Sequence, residues 1–192
     1  VTSGYFSLRV GVNQGSVLAP ALFGILINDV LVACNVLHFG AVFVYADDII
    51  IVTKSLFTLQ RLFDIVQAEL LVCNLTLNVN KCTAMRVGPR FNVDCAQVTT
   101  ASGLAVAWVK EFRYLGVFLV SGRVLRFSVS WAKAKFNRAV NGVLSKVLSI
   151  ASEDLILHVI KTKCLPILMY GLEICALNRG TVASMDFCVM RF

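Results

Sequence analysis

Asp47 and Asp48 stand side by side in the stretch VFVYADDIIIVTK, flanked on both sides by β-branched and aromatic residues. Neighbouring carboxylates repel each other, and burying either without a partner is costly, so a compensating cation is the simplest reason to place them there. Hard divalent cations such as Mg²⁺ take oxygen ligands and leave part of their coordination shell to water and substrate phosphates. Two such ions about 3.5–4 Å apart activate an attacking oxygen and stabilise a leaving one during in-line phosphoryl displacement. Asp-Asp is also a common turn dipeptide, and taken alone the pair fits a plain turn equally well.

Other side chains offer less chemistry. The seven cysteines (Cys34, Cys73, Cys82, Cys95, Cys164, Cys175, Cys188) are odd in number and lack C-x-x-C spacing or nearby paired histidines. They read as small apolar residues of a reducing compartment. His38 and His158 stand alone in apolar surroundings and read as core or boundary residues.

The pair needs a rigid base. Residues 41–46 and 49–53 are β-rich runs on either side of it, which predicts strand, tight turn, strand. Residues 17–37 are dense in apolar side chains and suit a buried helix from Pro20, with proline in its first turn. Ser55 is placed to cap a helix over 56–74, whose Leu59, Leu62, Phe63, Val66 and Leu70 share one face. Short strands follow near 83–88, 105–109 and 115–120. From Ser130 the pattern is helical again, with Phe136, Val140, Val143 and Val147 on one face and Lys135, Arg138 and Lys146 on another. A second helix starts near Glu153 and bends or restarts at Pro166.

The chain has 192 residues, with 18 Lys and Arg against 11 Asp and Glu, a net charge of +7 that favours anionic partners such as nucleic acid. The charge is uneven: residues 110–146 carry eight basic side chains and only Glu111 as an acid. A basic amphipathic helix can lie along a phosphate backbone, and it can equally be a solvated face. The mean hydropathy of +0.79 raises the membrane question. The charge-free stretches are broken by Asn13, Gln14, Gly15, Pro20, Asn35 and Gly40, which argues against spanning helices and for a chain without a membrane partner. Val1 is not methionine and no targeting segment opens the chain, so the start reads as a cut.

Set in order, four segments resemble the reverse transcriptase family. Tyr45-Ala46-Asp47-Asp48 resembles its catalytic hairpin, in the Ala-Asp-Asp form of non-LTR (LINE-type) retrotransposons and group II intron enzymes. Upstream, Gly11-Val12-Asn13-Gln14-Gly15-Ser16-Val17-Leu18-Ala19-Pro20 resembles the Gln-Gly segment. Leu77-Asn78-Val79-Asn80-Lys81-Cys82 is similar to the Asn-x-x-Lys-Thr element, and Tyr114-Leu115-Gly116 to the primer-grip element. Leu165-Pro166-Ile167-Leu168-Met169-Tyr170-Gly171-Leu172-Glu173 resembles the segment after the polymerase core of non-LTR elements, which favours a retrotransposon over an intron enzyme.

The resemblance implies an α+β fold: a polymerase palm with an antiparallel sheet packed on helices over residues 1–122, then a helical thumb-like region over 123–192, with the fingers missing. It implies RNA-directed DNA synthesis by two-metal phosphoryl transfer. Asp47 and Asp48 would hold Mg²⁺, with Mn²⁺ as the other candidate, and Lys81 would serve near the leaving pyrophosphate. Gln14, Gly15, Tyr45 and Ala46 would shape the nucleotide site. Tyr114, Leu115 and Gly116 would place the primer, and Lys133, Lys135, Arg138 and Lys146 would bind the duplex. The implied partners are an RNA template, a DNA primer, dNTP and the upstream part of the same polypeptide, in an intracellular protein of nucleus and cytoplasm. Departures from the pattern are Asn13 where Arg or Lys is common, Ser16 for Cys or Thr, Ala19 before Pro20, and Cys82 between Lys81 and Thr83. The family's first catalytic aspartate lies upstream of the Gln-Gly segment, so the segment alone is expected to be inactive. A catalytically dead relic or repurposed nucleic-acid-binding module is the alternative, and an integral membrane protein the second.

Overall fold

The computed structural model of the protein describes residue 11 and residues 15–35, 40–147 and 150–191. The chain forms two compact units, Val1–Ala84 with Cys95–Ala107, and Met85–Asp94 with Trp108–Phe192. The 111–120 segment falls in the second unit with the later helices.

In the first unit, helix α1 (Ala19–Asn35) starts with Pro20 in its first turn, where a missing N–H costs nothing. Its Ile27, Val30 and Cys34 recur at helical spacing and are buried. The opposite side is apolar too, and Leu22, Ile25 and Val32 are exposed. Strands β1 (Gly40–Tyr45) and β2 (Asp48–Thr53) follow as an antiparallel hairpin in the register Gly40↔Thr53 through Tyr45↔Asp48. Helix α2 (Leu56–Val72) is capped by Ser55, whose hydroxyl oxygen accepts from the Thr58 amide at 3.2 Å. It ends in a Schellman turn: Asn74 is left-handed at φ +57, and the amides of Asn74 and Leu75 donate to the carbonyls of Leu71 and Leu70.

Leu62, Val66 and Leu70 of α2 meet Ile27, Val30 and Cys34 of α1, and Val42, Val44, Ile49 and Ile51 of the hairpin pack on this core. Burying each large side chain contributes about 1.5–3 kcal/mol. The segment after residue 95 returns to α2, where two glutamines seven apart clasp its backbone. Gln60 accepts from the Thr99 amide at 2.9 Å and donates to the Thr99 carbonyl at 2.7 Å, and Gln67 accepts from the Ala101 amide at 3.1 Å. Strands β3 (Thr83–Ala84) and β4 (Ala107–Trp108) form a second, two-stranded sheet.

The second unit carries a three-stranded antiparallel sheet, β5 (Glu111–Tyr114), β6 (Val117–Val120) and β7 (Arg126–Ser128), with β6 central. Helix α3 (Ser130–Val147) buries Phe136 and Val140. Helix α4 (Glu153–Val159) runs into a π-helical turn at Ile160–Cys164 and then α5 (Leu165–Met169), which has Pro166 in its first turn. The restart expected at Pro166 is thus absorbed by widening the preceding turn, which frees the carbonyl that the proline ring would meet. Helix α6 (Arg179–Met190) is capped by the Asn178 side chain, and its Met185 joins Phe136, Val140, Cys164 and Leu168 in the core.

The run Glu153–Ile174 is long and apolar enough by length and composition to cross a membrane, a test that core helices also pass. Within this unit it supplies the buried Ile156, Cys164 and Leu168, while Lys161 and Lys163 are exposed. His158 is exposed near the end of α4 rather than in the core, and His38 lies outside the described residues.

All seven cysteines are free. Burial pushes the thiols of Cys34, Cys82, Cys164 and Cys175 up, with Glu69 adding to the effect at Cys34 and Glu173 at Cys175. A raised thiol holds less thiolate and reacts more slowly. Iodoacetamide at pH 8 is therefore expected to label the buried Cys34 and Cys164 only after unfolding, as read by mass spectrometry of native and urea-treated protein.

Candidate active site

The β1–β2 ladder decides where each aspartate points. Tyr45 and Asp48 are the last paired residues, so Ala46-Asp47 is a two-residue loop and Asp48 already belongs to β2. The two carboxylates, expected as one turn unit, therefore stand in different backbone settings. Residues directly opposite in an antiparallel pair share a face, so Asp48 lies beside Tyr45 on the outer face with Phe43 and Ile50. The inner face, Val42, Val44, Ile49 and Ile51, rests on the core and anchors the ladder.

Ala46 has φ +51 while Asp47 has no positive φ, the sign pattern of a type II′ hairpin loop. That position suits glycine, and an alanine there stores backbone strain that the flanking ladder must hold. Asp47 and Asp48 are both exposed, and Tyr45 is 63% exposed beside them. Chemically this is a fixed, solvent-facing pair of hard oxygen donors. The donor set fits part of a divalent-cation shell, with water and phosphate oxygens completing it. Among the described residues no group of three or more His, Cys, Asp or Glu side chains could hold a metal.

Lys81 is exposed at the end of a 3-10 turn, Val79–Lys81, that follows α2, and no ion pair joins it to either aspartate among the described residues. Gly15 is exposed with φ +86, a conformation open to glycine. Gln14 lies outside the described residues.

In the second unit, Tyr114 and Val117 pair across the β5–β6 hairpin, leaving Leu115-Gly116 as its two-residue loop. Leu115 has φ +45 and Gly116 φ +87, so the loop is of type I′. Such loops favour Asn-Gly, and a leucine in the left-handed region costs about 1–2 kcal/mol. The Tyr170 hydroxyl donates to the Leu115 carbonyl at 3.1 Å. Beside this turn lies a cleft of about 580 Å³, whose lining includes Arg113, Gly116, Trp131, Lys135 and Tyr170.

The four basic residues expected on the duplex face separate. Lys133 is half-buried and donates to the Ser184 hydroxyl at 2.7 Å, so its ammonium is engaged within the protein. Lys135, Arg138 and Lys146 are exposed, and at 3.6 residues per turn they share one stripe of α3 with Trp131. The stripe spans about 22 Å at 1.5 Å per residue. Trp131 stacks on Phe118 with ring centroids 5.4 Å apart, and the Lys135 ammonium lies 5.9 Å from the Trp131 ring. Sequence reasoning missed Trp131; its i, i+4 spacing to Lys135 was the available signal.

A family profile described as "Reverse transcriptase (RNA-dependent DNA polymerase)" matches residues 2–119. The chain is 31% identical over 143 residues to the RNA-directed DNA polymerase from mobile element jockey of Drosophila funebris, covering 69% of this chain and 15% of that protein. The chain thus matches only a small part of the length of that relative. No solved structure gives a significant match.

Proposed function

The chain belongs to the reverse transcriptase family, with a LINE-type relative, and from that premise we propose that it is the catalytic-hairpin and thumb-side portion of an RNA-directed DNA polymerase. The family generally uses divalent metal ions and binds template, primer and dNTP. In this chain Asp47 and Asp48 would hold Mg²⁺, which when bound would supply charge stabilisation to the phosphoryl transfer. The observation that carries the reading is the β1–β2 hairpin: a ladder anchored on one face presents two carboxylates in fixed, solvent-facing positions.

The chain's own residues divide the remaining work. Tyr45, opposite Asp48, lies against the incoming nucleotide, with Gln14, Gly15 and Ala46 shaping the same site. Lys81 serves the leaving pyrophosphate as cation or proton donor. The Tyr114-Leu115-Gly116 turn places the primer end. Residues 1–122 act as palm and 123–192 as thumb, in a nuclear and cytoplasmic protein. Two-metal chemistry asks for a further carboxylate that the hairpin does not supply, so the segment alone is expected to be inactive. The test joins the chain to its upstream coding sequence and measures Mg²⁺-dependent dNTP incorporation on a primed RNA; no incorporation above a catalytically blank control counts against the reading.

The α3 stripe supports a second reading, a module that binds duplex without catalysis, because that stripe does not involve the carboxylate hairpin. Both readings predict phosphate contacts that scale with salt. Lys135→Ala and Arg138→Ala are each expected to lower the magnitude of the log affinity against log salt slope by about 0.7–0.9. Lys133→Ala, whose ammonium is turned to Ser184, is expected to leave that slope unchanged. A titration series in fluorescence anisotropy separates the three, and equal effects would show that the stripe is not the duplex contact.

A further inference from the structure

Two turns in the second unit interlock, and each uses a glycine where the other projects a side chain. A Cβ on Gly116, at φ +87, would stand 2.7 Å from Cε1 of the Tyr170 ring. A Cβ on Gly171, at φ +72, would stand 2.7 Å from Cγ2 of Val117. The Leu115-Gly116-Val117 turn and the Tyr170-Gly171 turn therefore fit together only because both glycines are bare. The Tyr170 hydroxyl closes the fit by donating to the Leu115 carbonyl at 3.1 Å.

The contact is not explained by core packing. Tyr170 is 62% exposed, and the core beneath this unit is built from Phe136, Val140, Cys164, Leu168 and Met185. The carbonyl it holds belongs to the residue with the strained backbone, Leu115 at φ +45. A strained turn persists where its surroundings over-determine it. Tyr170 is also part of the lining of the largely apolar cleft to which Arg113 and Lys135 contribute, so the turn it holds borders that cleft.

We propose that Tyr170 is a positioning residue for the primer: its hydroxyl and ring hold the Leu115-Gly116 turn in the left-handed geometry in which that turn meets the primer's 3′ end. The inference rests on the polymerase reading for the identity of the primer, and on the interlock alone for the role of Tyr170. It places a determinant of primer placement about 55 residues beyond the turn in sequence, in the segment after the polymerase core.

The test uses the polymerase carrying this chain in its full reading frame. Tyr170→Phe keeps the ring and removes one hydrogen bond, so KM for primed RNA is expected to rise about three- to tenfold with kcat within twofold. Amide exchange at Val117, which closes the turn, is expected to quicken in the same variant. In a Leu115→Asn background, where the left-handed residue no longer needs support, adding Tyr170→Phe is expected to change KM less than twofold. An unchanged KM in Tyr170→Phe, or an equal rise in both backgrounds, overturns the positioning role. If the parent enzyme extends no primer, the polymerase reading fails, and Val117 exchange still decides: unchanged exchange in Tyr170→Phe overturns the interlock as well.

Discussion

Asp47→Asn is expected to lower primer extension roughly a thousandfold or more in the full-frame polymerase, since losing several kcal/mol of metal-borne charge stabilisation costs about a factor of ten per 1.4 kcal/mol. Asparagine keeps the size and the loop position but gives up the charge that draws a divalent cation. Because Ala46-Asp47 is a two-residue loop outside the ladder, the substitution leaves the β1–β2 pairing in place. Duplex affinity, measured at the same salt, is expected to stay within about twofold, as the basic stripe lies on α3. Excess Mg²⁺ should restore part of the rate if the defect is in metal affinity. Incorporation within threefold of the parent would remove Asp47 from the metal site.

Leu62→Ala is expected to cost about 2–5 kcal/mol of stability, against total stabilities of about 5–15 kcal/mol for domains of this kind. Leu62 is fully buried on α2. Its Cδ1 sits 2.8 Å from where a Cβ on Gly40 would stand, so it fills the space under the first residue of β1. A two-stranded hairpin is marginal in water without something to pack on. The cavity is therefore expected to loosen the hairpin that carries Asp47 and Asp48 although neither is altered. Urea unfolding measures the change, with the exposed Leu71→Ala as control at about 0.5 kcal/mol or less. A change below 1 kcal/mol for Leu62→Ala would mean that the hairpin is not held through α2.

Helices α1 to α3, the start of α4 and the carboxylate hairpin were legible in the sequence because each rests on short-range signals, whereas α6 was not separated from the helix expected from Glu153. Pro20, Ser55 and the run from Ser130 fix the starts of α1, α2 and α3, and the β-rich runs on either side of Asp47-Asp48 fix β1 and β2. The sheet of the second unit was only partly legible. Strands were expected near 115–120, but β5 (Glu111–Tyr114) and β7 (Arg126–Ser128) flank β6 with charged residues in place of a clean apolar alternation. The loop at Leu115 argues against its own conformation, since leucine is a poor left-handed residue and its support comes from Tyr170, 55 residues away. Within the site, helical spacing already sets Lys133 toward the Phe136 and Val140 side, away from Lys135, but the engagement of its ammonium was invisible to periodicity. It depends on Ser184, 51 residues distant in sequence, standing within hydrogen-bond reach of one ammonium.

The outer face of the β1–β2 hairpin carries a further consequence, a colloidal one. Phe43, Tyr45 and Val52 are 53–63% exposed on a two-stranded sheet with no further strand on either edge among the described residues. GAVFVY and DIIIVT are six-residue windows of high β propensity without proline, the composition from which cross-β stacks assemble. Their charges are gathered at the loop, as Asp47 and Asp48, and such residues act as gatekeepers against edge-to-edge pairing. The carboxylates that would draw in a cation thus also repel a second copy of the same hairpin, and neutralising them works against solubility in the stickiest segment of the chain.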